Sequence, residues 1–161
     1  MEAFKEKVLK AQSEGSVATL YVLAREAHEL LSEDELVPFY ANILELALEN
    51  LTDVLGSARQ MDINEVEDFA TLRAIYEYAM EHYSVGKKRD ASALFEVLSG
   101  LSSDKKFSEA MKIHQAGADA GMSIDAFVEN VGDMDTTRNT ASFYISEFKK
   151  EGLKTLQGSG S

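Results

Sequence analysis

Apolar residues in this chain recur at three- and four-residue steps and almost nowhere at two. From Val17 to Leu31 the recurring set is Val17, Leu20, Tyr21, Ala24, His28 and Leu31. From Phe39 to Leu55 it is Phe39, Ile43, Leu46, Ala47, Asn50, Leu51, Val54 and Leu55. That spacing lines one face of an α-helix. The alternating, β-branched runs that signal strands are missing. The punctuation is helical as well. Ser32-Glu-Asp-Glu35 is a capping-box candidate, the alternative being a helix that starts one residue before Pro38 with Pro38 in its first turn, and Gly56 is a plausible stop. Asn64 is expected to cap a helix reaching about Tyr83, with acids in its first turn. Gly86 interrupts, Asp90 to Leu101 resumes, and Ser102-Ser-Asp104 turns into Lys105 to Ala116. Ser123 caps Ile124 to Val131, and Thr136 or Thr137 opens a last helix that reaches Lys150 and ends at Gly152. The predicted fold is all-α: a compact bundle or short solenoid of seven to eight helices arranged as antiparallel hairpins.

Composition narrows the chemistry. The 161 residues fit one domain over 1–157, with Gly158-Ser-Gly-Ser161 read as an appended linker. Cysteine is absent, which removes disulfides, thiolate nucleophiles and thiolate metal sites. The first residues are charged and lack a signal peptide's apolar run. No uncharged run approaches the ~20 residues of a membrane helix. A cytoplasmic protein without membrane contact is expected. Net charge is −12 and unevenly spread. Between Glu29 and Asp68 eleven acids face one base, Arg59, for a local −10. Such a field repels nucleic acid and draws in basic partners, or serves only as a solvated face.

No catalytic or metal pattern forms. The histidines His28, His82 and His114 complete neither His-Glu-x-x-His nor Glu-x-x-His. Glu77, Glu81 and His82 lie within about one helical turn, a weak metal pattern at most. Gly86-Lys-Lys lacks the remaining elements of a phosphate loop. Ser102–Lys105 and Ser146–Lys149 match Ser-x-x-Lys and read as caps or surface. We expect no enzyme, no cofactor and no metal.

One stretch has a recognisable pattern. In "AIYEYAMEHYSVGKKRDASALFEV", Ala74 to Val97, Gly86 is a turn glycine between two helices. Ala79 and Ala91 are small residues where the helices would approach, and Ile75 and Tyr78 are large ones. His82 and Tyr83 form an aromatic pair before the turn, with Phe95 following it. Residues 71–104 thereby resemble a tetratricopeptide repeat, a helix–turn–helix unit of 34 residues. Leu98 stands where alanine is usual, Ser103 where proline is, and Lys88 where tyrosine is common. The resemblance implies a concave groove that binds peptides. Small, acidic, cysteine-free versions are similar to secretion chaperones that hold hydrophobic translocator proteins. On that reading Tyr76, Tyr78, Met80, Tyr83 and Phe95 contact the partner; the alternative use of each is core packing.

The tail carries a second resemblance. "SIDAFVENVGDMDTTRNTASFYISEFKKEGL", Ser123 to Leu153, is similar to the helix-turn-helix of winged regulators. Ala141, Ile145 and Phe148 would pack inward, and Arg138, Asn139, Ser142, Lys149 and Lys150 would face a duplex. From Thr136 to Gln157 four bases face two acids, a surplus of only +2, so nucleic acid is disfavoured as a partner.

The reading favoured by these residues is a non-catalytic protein-binding domain. It would be a chaperone or adaptor holding an apolar or basic segment of another protein. The alternative is a DNA-associated regulator using residues 123–153, and self-association into a homo-oligomer is a third use.

Overall fold

The computed structural model describes residues 1–57, 59–140 and 142–159. The protein is all-α: nine helices and no strand among the described residues. They are α1 (Glu2–Glu14), α2 (Val17–Leu30), α3 (Glu33–Ser57), α4 (Val66–Ser84), α5 (Lys88–Leu101), α6 (Lys105–Asp119), α7 (Ile124–Ala126), α8 (Met134–Asn139) and α9 (Lys150–Ser159). A π-helical turn, Phe127–Val131, continues α7. None of the helices is long and apolar enough to cross a membrane. The chain divides into two units, Met1–Ile75 and Tyr76–Ser161.

In the first unit α1 packs on α2 and α2 on α3. Gly15 turns the first corner in the left-handed region (φ 67°), where a side chain is strained. Ser16 then caps α2 by accepting from the Thr19 amide. The expected capping box forms at α3. Ser32 N donates to Glu35 Oε1 at 3.1 Å and Glu35 N to Ser32 Oγ at 3.3 Å. The Ser32 amide, then its hydroxyl, hold the Glu35 carboxyl below the usual range. Pro38 lies inside α3 rather than in its first turn. α4 is capped one residue later than expected: Glu65, not Asn64, accepts from the Glu67 and Asp68 amides. The buried stripe of α2 is Val17, Leu20, Leu23 and Ala27, while His28 is exposed. On α3 Phe39, Ile43, Ala47, Leu51 and Val54 are buried and Leu55 is exposed. α1, which the spacing argument left out, buries Phe4 and Ala11.

The second unit starts with the hairpin read as repeat-like. Ala79 and Ala91 are both fully buried, and Gly86 has φ 84°. The turn closes through Gly86 N to Tyr83 O (3.1 Å) and Lys87 N to His82 O (2.9 Å). The helical-hairpin character of this stretch is therefore present. α5 packs on α6, and α9 on α6 and on the π-turn.

The tail departs from expectation. No recognition helix runs from Thr136 to Lys150; α8 stops at Asn139, and helix resumes only at Lys150. Ala141 lies outside the described residues. The described residues between the two helices are not helical, and Gly132 and Phe148 form an isolated antiparallel bridge. Asp133 N donates to Glu147 O and Lys149 N to Val131 O, both at 2.8 Å. Thr137 Oγ1 accepts from the Ser146 and Glu147 amides at 3.3 and 3.1 Å. A side-chain hydroxyl thus takes over backbone partners that a helix would supply. The run Phe143-Tyr-Ile-Ser146 also has poor helix formers, and its aromatic rings find better use against the core. Tyr144 sits 5.1 Å from the Phe107 ring and 6.3 Å from Tyr76, centroid to centroid.

Gly152 does not end a helix; it lies inside α9, pressed against the π-turn. A Cβ there would fall on the Asn130 carbonyl oxygen and within 2.6 Å of Val131 Cα. Backbone atoms cannot swing aside as a side chain can. Gly152→Ala is therefore expected to lower stability by about 1–3 kcal/mol, overpacking outweighing the gain in helix propensity. Urea unfolding measures it, and a stabilised variant would mean that α9 does not seat on this turn.

Candidate functional site

Of the five residues expected to contact a partner, three are core. Tyr76, Tyr83 and Phe95 are 5%, 1% and 0% exposed. Their rings pack on one another: Tyr76 and Tyr83 lie 6.3 and 6.1 Å from Phe95. Tyr78 and Met80 are half-buried, and Tyr78 stacks edge-on against His82 at 4.5 Å. Tyr76 and Tyr83 of α4 and Phe95 of α5 are thus interior. The Phe143 and Tyr144 rings of the tail cover Tyr76, while Phe127 packs on Tyr83 and His114 on Phe95.

The polar atoms of these residues are satisfied internally. Ile145 N donates to Tyr76 Oη at 3.1 Å. Tyr76 Oη lies 2.9 Å from His114 Nε2, and His114 Nδ1 lies 2.7 Å from the Ala110 carbonyl. The carbonyl can only accept, so Nδ1 carries the proton and Nε2 accepts from the phenol. This relay is closed: each donor meets one acceptor. Burial pushes the His114 pKa down to about 4, against the opposing pull of the Ala110 carbonyl. Burial likewise lifts the Tyr83 phenol to about 12, its hydroxyl donating to Met122 O at 2.8 Å. These groups hold the second unit together.

The four nucleic-acid candidates of the tail, Arg138, Asn139, Lys149 and Lys150, do not share one helix. Arg138 is exposed and pairs with Asp135 at 3.4 Å. Asn139 is exposed at the end of α8. Lys149 Nζ donates to Glu129 O at 2.5 Å, and Lys150 begins α9. No group of three or more His, Asp or Glu among the described residues is arranged to hold a metal ion.

What the spacing argument missed is a groove in the first unit. It has a volume of about 440 Å³, is open to solvent, and lies between α2 and the start of α4. Tyr21 and Val22 line one side, Val66, Phe69 and Arg73 the other, and Ile63 the end. Val22 is 77% exposed, Val66 68% and Phe69 39%. The Arg73 guanidinium lies 4.1 Å above the Tyr21 ring. A second cleft of about 450 Å³ adjoins in sequence and is acidic, lined by Glu14, Asp53, Glu65, Glu67 and Asp68 with Arg59. Arg59 is held by Asp68 at 3.3 Å, and this pair with the carboxylate raises the guanidinium pKa. The available signal was Val22, an apolar residue off the buried stripe of its own helix.

Comparison of the chain with family models, with curated proteins and with solved structures returns no match.

Proposed function

We propose that the protein is a non-catalytic binding domain, a chaperone or adaptor that holds an apolar or basic segment of a partner protein in the α2–α4 groove. The observation that carries this reading is the exposure of Val22, Val66 and Phe69 along one open apolar channel. Exposed apolar patches rimmed by polar residues are characteristic of interaction sites. The resemblance of residues 71–104 to a tetratricopeptide repeat supports a protein partner, and the absence of cysteine suits the reducing cytoplasm. Burying two or three aliphatic side chains in the groove contributes roughly 4–8 kcal/mol before ordering costs, which corresponds to modest affinity. The acidic field of the first unit accelerates capture of a cationic partner.

The test is fluorescence anisotropy of a labelled helical peptide presenting leucines at i, i+4 and i+7. Phe69→Asp is expected to weaken its binding at least about tenfold, equivalent to ~1.4 kcal/mol. Phe69 is partly exposed, so the circular dichroism and melting temperature of the variant should stay near those of the parent. Unchanged affinity in Phe69→Asp and Val66→Asp would remove the groove from consideration.

A further inference from the structure

We infer that the segment from Ser142 to Lys149 is an exchangeable strap: it fills an extended-peptide seat of the second unit in its own chain, and the same segment of a second copy fills that seat in a dimer. The inference lies wholly within residues 76–161 and does not rest on the α2–α4 groove.

The strap is held as a receptor holds an extended peptide, by main-chain hydrogen bonds and side-chain contacts together. Its amides donate to groups outside itself. Ile145 N donates to Tyr76 Oη at 3.1 Å, Ser146 N and Glu147 N to Thr137 Oγ1 at 3.3 and 3.1 Å, and Lys149 N to Val131 O at 2.8 Å. Glu147 O accepts from Asp133 N at 2.8 Å. The side chains also reach outward. The Tyr144 ring lies 5.1 Å from Phe107, and the Phe143 ring lies 5.9 Å from both Phe107 and Tyr76. Phe148 stands edge-on to His114 at 6.0 Å, and Glu147 meets Lys106 at 2.8 Å. The strap forms no helix of its own, so the seat sets its conformation.

The seat is assembled from other elements. Tyr76 belongs to α4, Phe107 and His114 to α6, Val131 to the π-turn and Thr137 to α8. Ile145 and Tyr76 are 69 positions apart in the chain. Two copies carry the same residues, so each contact is equally available to a strap from either copy. α8 ends at Asn139, and the strap leads into α9, which packs on α6 and on the π-turn. An exchange therefore carries residues 142–159 as one arm, strap and α9 together. Exchanging an identical element costs little, because the closed and exchanged forms make the same contacts.

Charge and sequence favour a second copy at this seat. Residues 76–161 hold thirteen acids against ten bases, a net of −3, whereas residues 1–75 hold fifteen against six, a net of −9. The arm belongs to the nearly neutral unit, so two copies meet there with little repulsion. At the seat itself the charges are opposite, Lys106 against the strap's Glu147. A foreign segment would have to present two aromatic rings, a branched residue and an acid in that order. The chain's own Phe143-Tyr-Ile-Ser-Glu147 already does.

The test uses full-length chains, which have no native cysteine. The Lys106 and Glu147 side chains are 54% and 32% exposed, so both positions accept substitution. Lys106→Cys and Glu147→Cys are made as separate proteins, mixed at high concentration, incubated warm and treated with a short bismaleimide. Neither protein can crosslink within one chain. The mixture is expected to give at least about five times more covalent dimer than either protein alone. Placing both cysteines in one chain and closing them at low concentration locks the strap in its own seat. The locked protein should sediment as a monomer at concentrations where the parent dimerises. Circular dichroism and melting temperature check that each variant is folded. A fluorescent Ser142–Lys149 peptide completes the set. Peptide binding by a parent chain that never dimerises assigns the seat to a foreign segment and overturns the second copy as occupant. A dimer that persists in the locked protein is made by another face and also overturns the inference. Monomer throughout, with equal crosslinking in the mixture and the single proteins and no peptide binding, makes the strap a fixed part of the core and overturns it outright.

Discussion

Lowering the pH from 6.5 to 4 is expected to cost the second unit about 3 kcal/mol of stability through His114 alone. The imidazole is fully buried, neutral, and bonded at both nitrogens. Its folded pKa is about 4 against 6.5 for the free side chain. Between those values the unfolded chain takes up a proton that the folded chain refuses, so stability rises with pH across the window. It is fully present above 6.5, declines as the pH falls, and levels off below 4. The size follows from about 2.5 pH units at ~1.4 kcal/mol each. Protonating Nε2 would also turn the acceptor facing Tyr76 into a donor and break the relay that holds the Ile145 amide. Urea unfolding of the wild type and His114→Gln at several pH values isolates this contribution, because the other titrating groups are common to both. A proton NMR titration of the folded protein checks it without any variant. An imidazole that titrates near 6.5 in the native state would refute the account.

Phe127→Ala should cost about 3–5 kcal/mol, the range for truncating a buried phenylalanine. Phe127 is completely buried in the π-turn, 4.9 Å from the His114 ring and 5.9 Å from Tyr83. Its ring fills space that α6 makes by carrying glycine at position 117. A Cβ on Gly117 would stand 2.5 Å from Phe127 Cδ2 and 3.4 Å from Tyr83 Oη. Gly117→Ala in the parent is therefore expected to destabilise, although alanine is the better helix former by about 1 kcal/mol. In the Phe127→Ala background the clash is gone, and the same substitution should become stabilising. Denaturant unfolding of the four proteins gives the coupling, expected at about 1–3 kcal/mol. Additive effects would show that the ring does not occupy the notch at Gly117.

The fold class and most helix positions could be read directly from spacing and caps. Val17, Leu20, Ile43 and Ala47 needed only periodicity, and Ser32, Asp104 and Ser123 sit where their side chains accept from backbone amides. These are local properties: a cap needs four consecutive residues, and a stripe needs one helix. The tail was misread for the opposite reason. Tyr144 and Ile145 have weak helix propensity, so distant partners decide their backbone, and Tyr76 and Phe107 are those partners. Gly152 looked like a stop, yet it is a contact point for a turn some twenty residues earlier in the chain.

The candidate site shows the same division. Sequence could put Tyr76 and Tyr83 on one helix and Phe95 on the next, but it could not say whether anything covered them. Phe143 and Tyr144 cover Tyr76, Phe127 covers Tyr83, and His114 lies on Phe95. Conversely, Val22, Val66 and Phe69 belong to no stripe that periodicity singles out, and they become a groove only because α2 and α4 start together at Ser16 and Glu67. The amino-acid sequence by itself determined an acidic, cysteine-free, all-helical chain and the ends of most of its helices, since those depend on neighbours within about one turn. Only the tertiary structure decided which aromatic residues are interior and which apolar ones face solvent, because exposure depends on contacts between residues far apart in the chain.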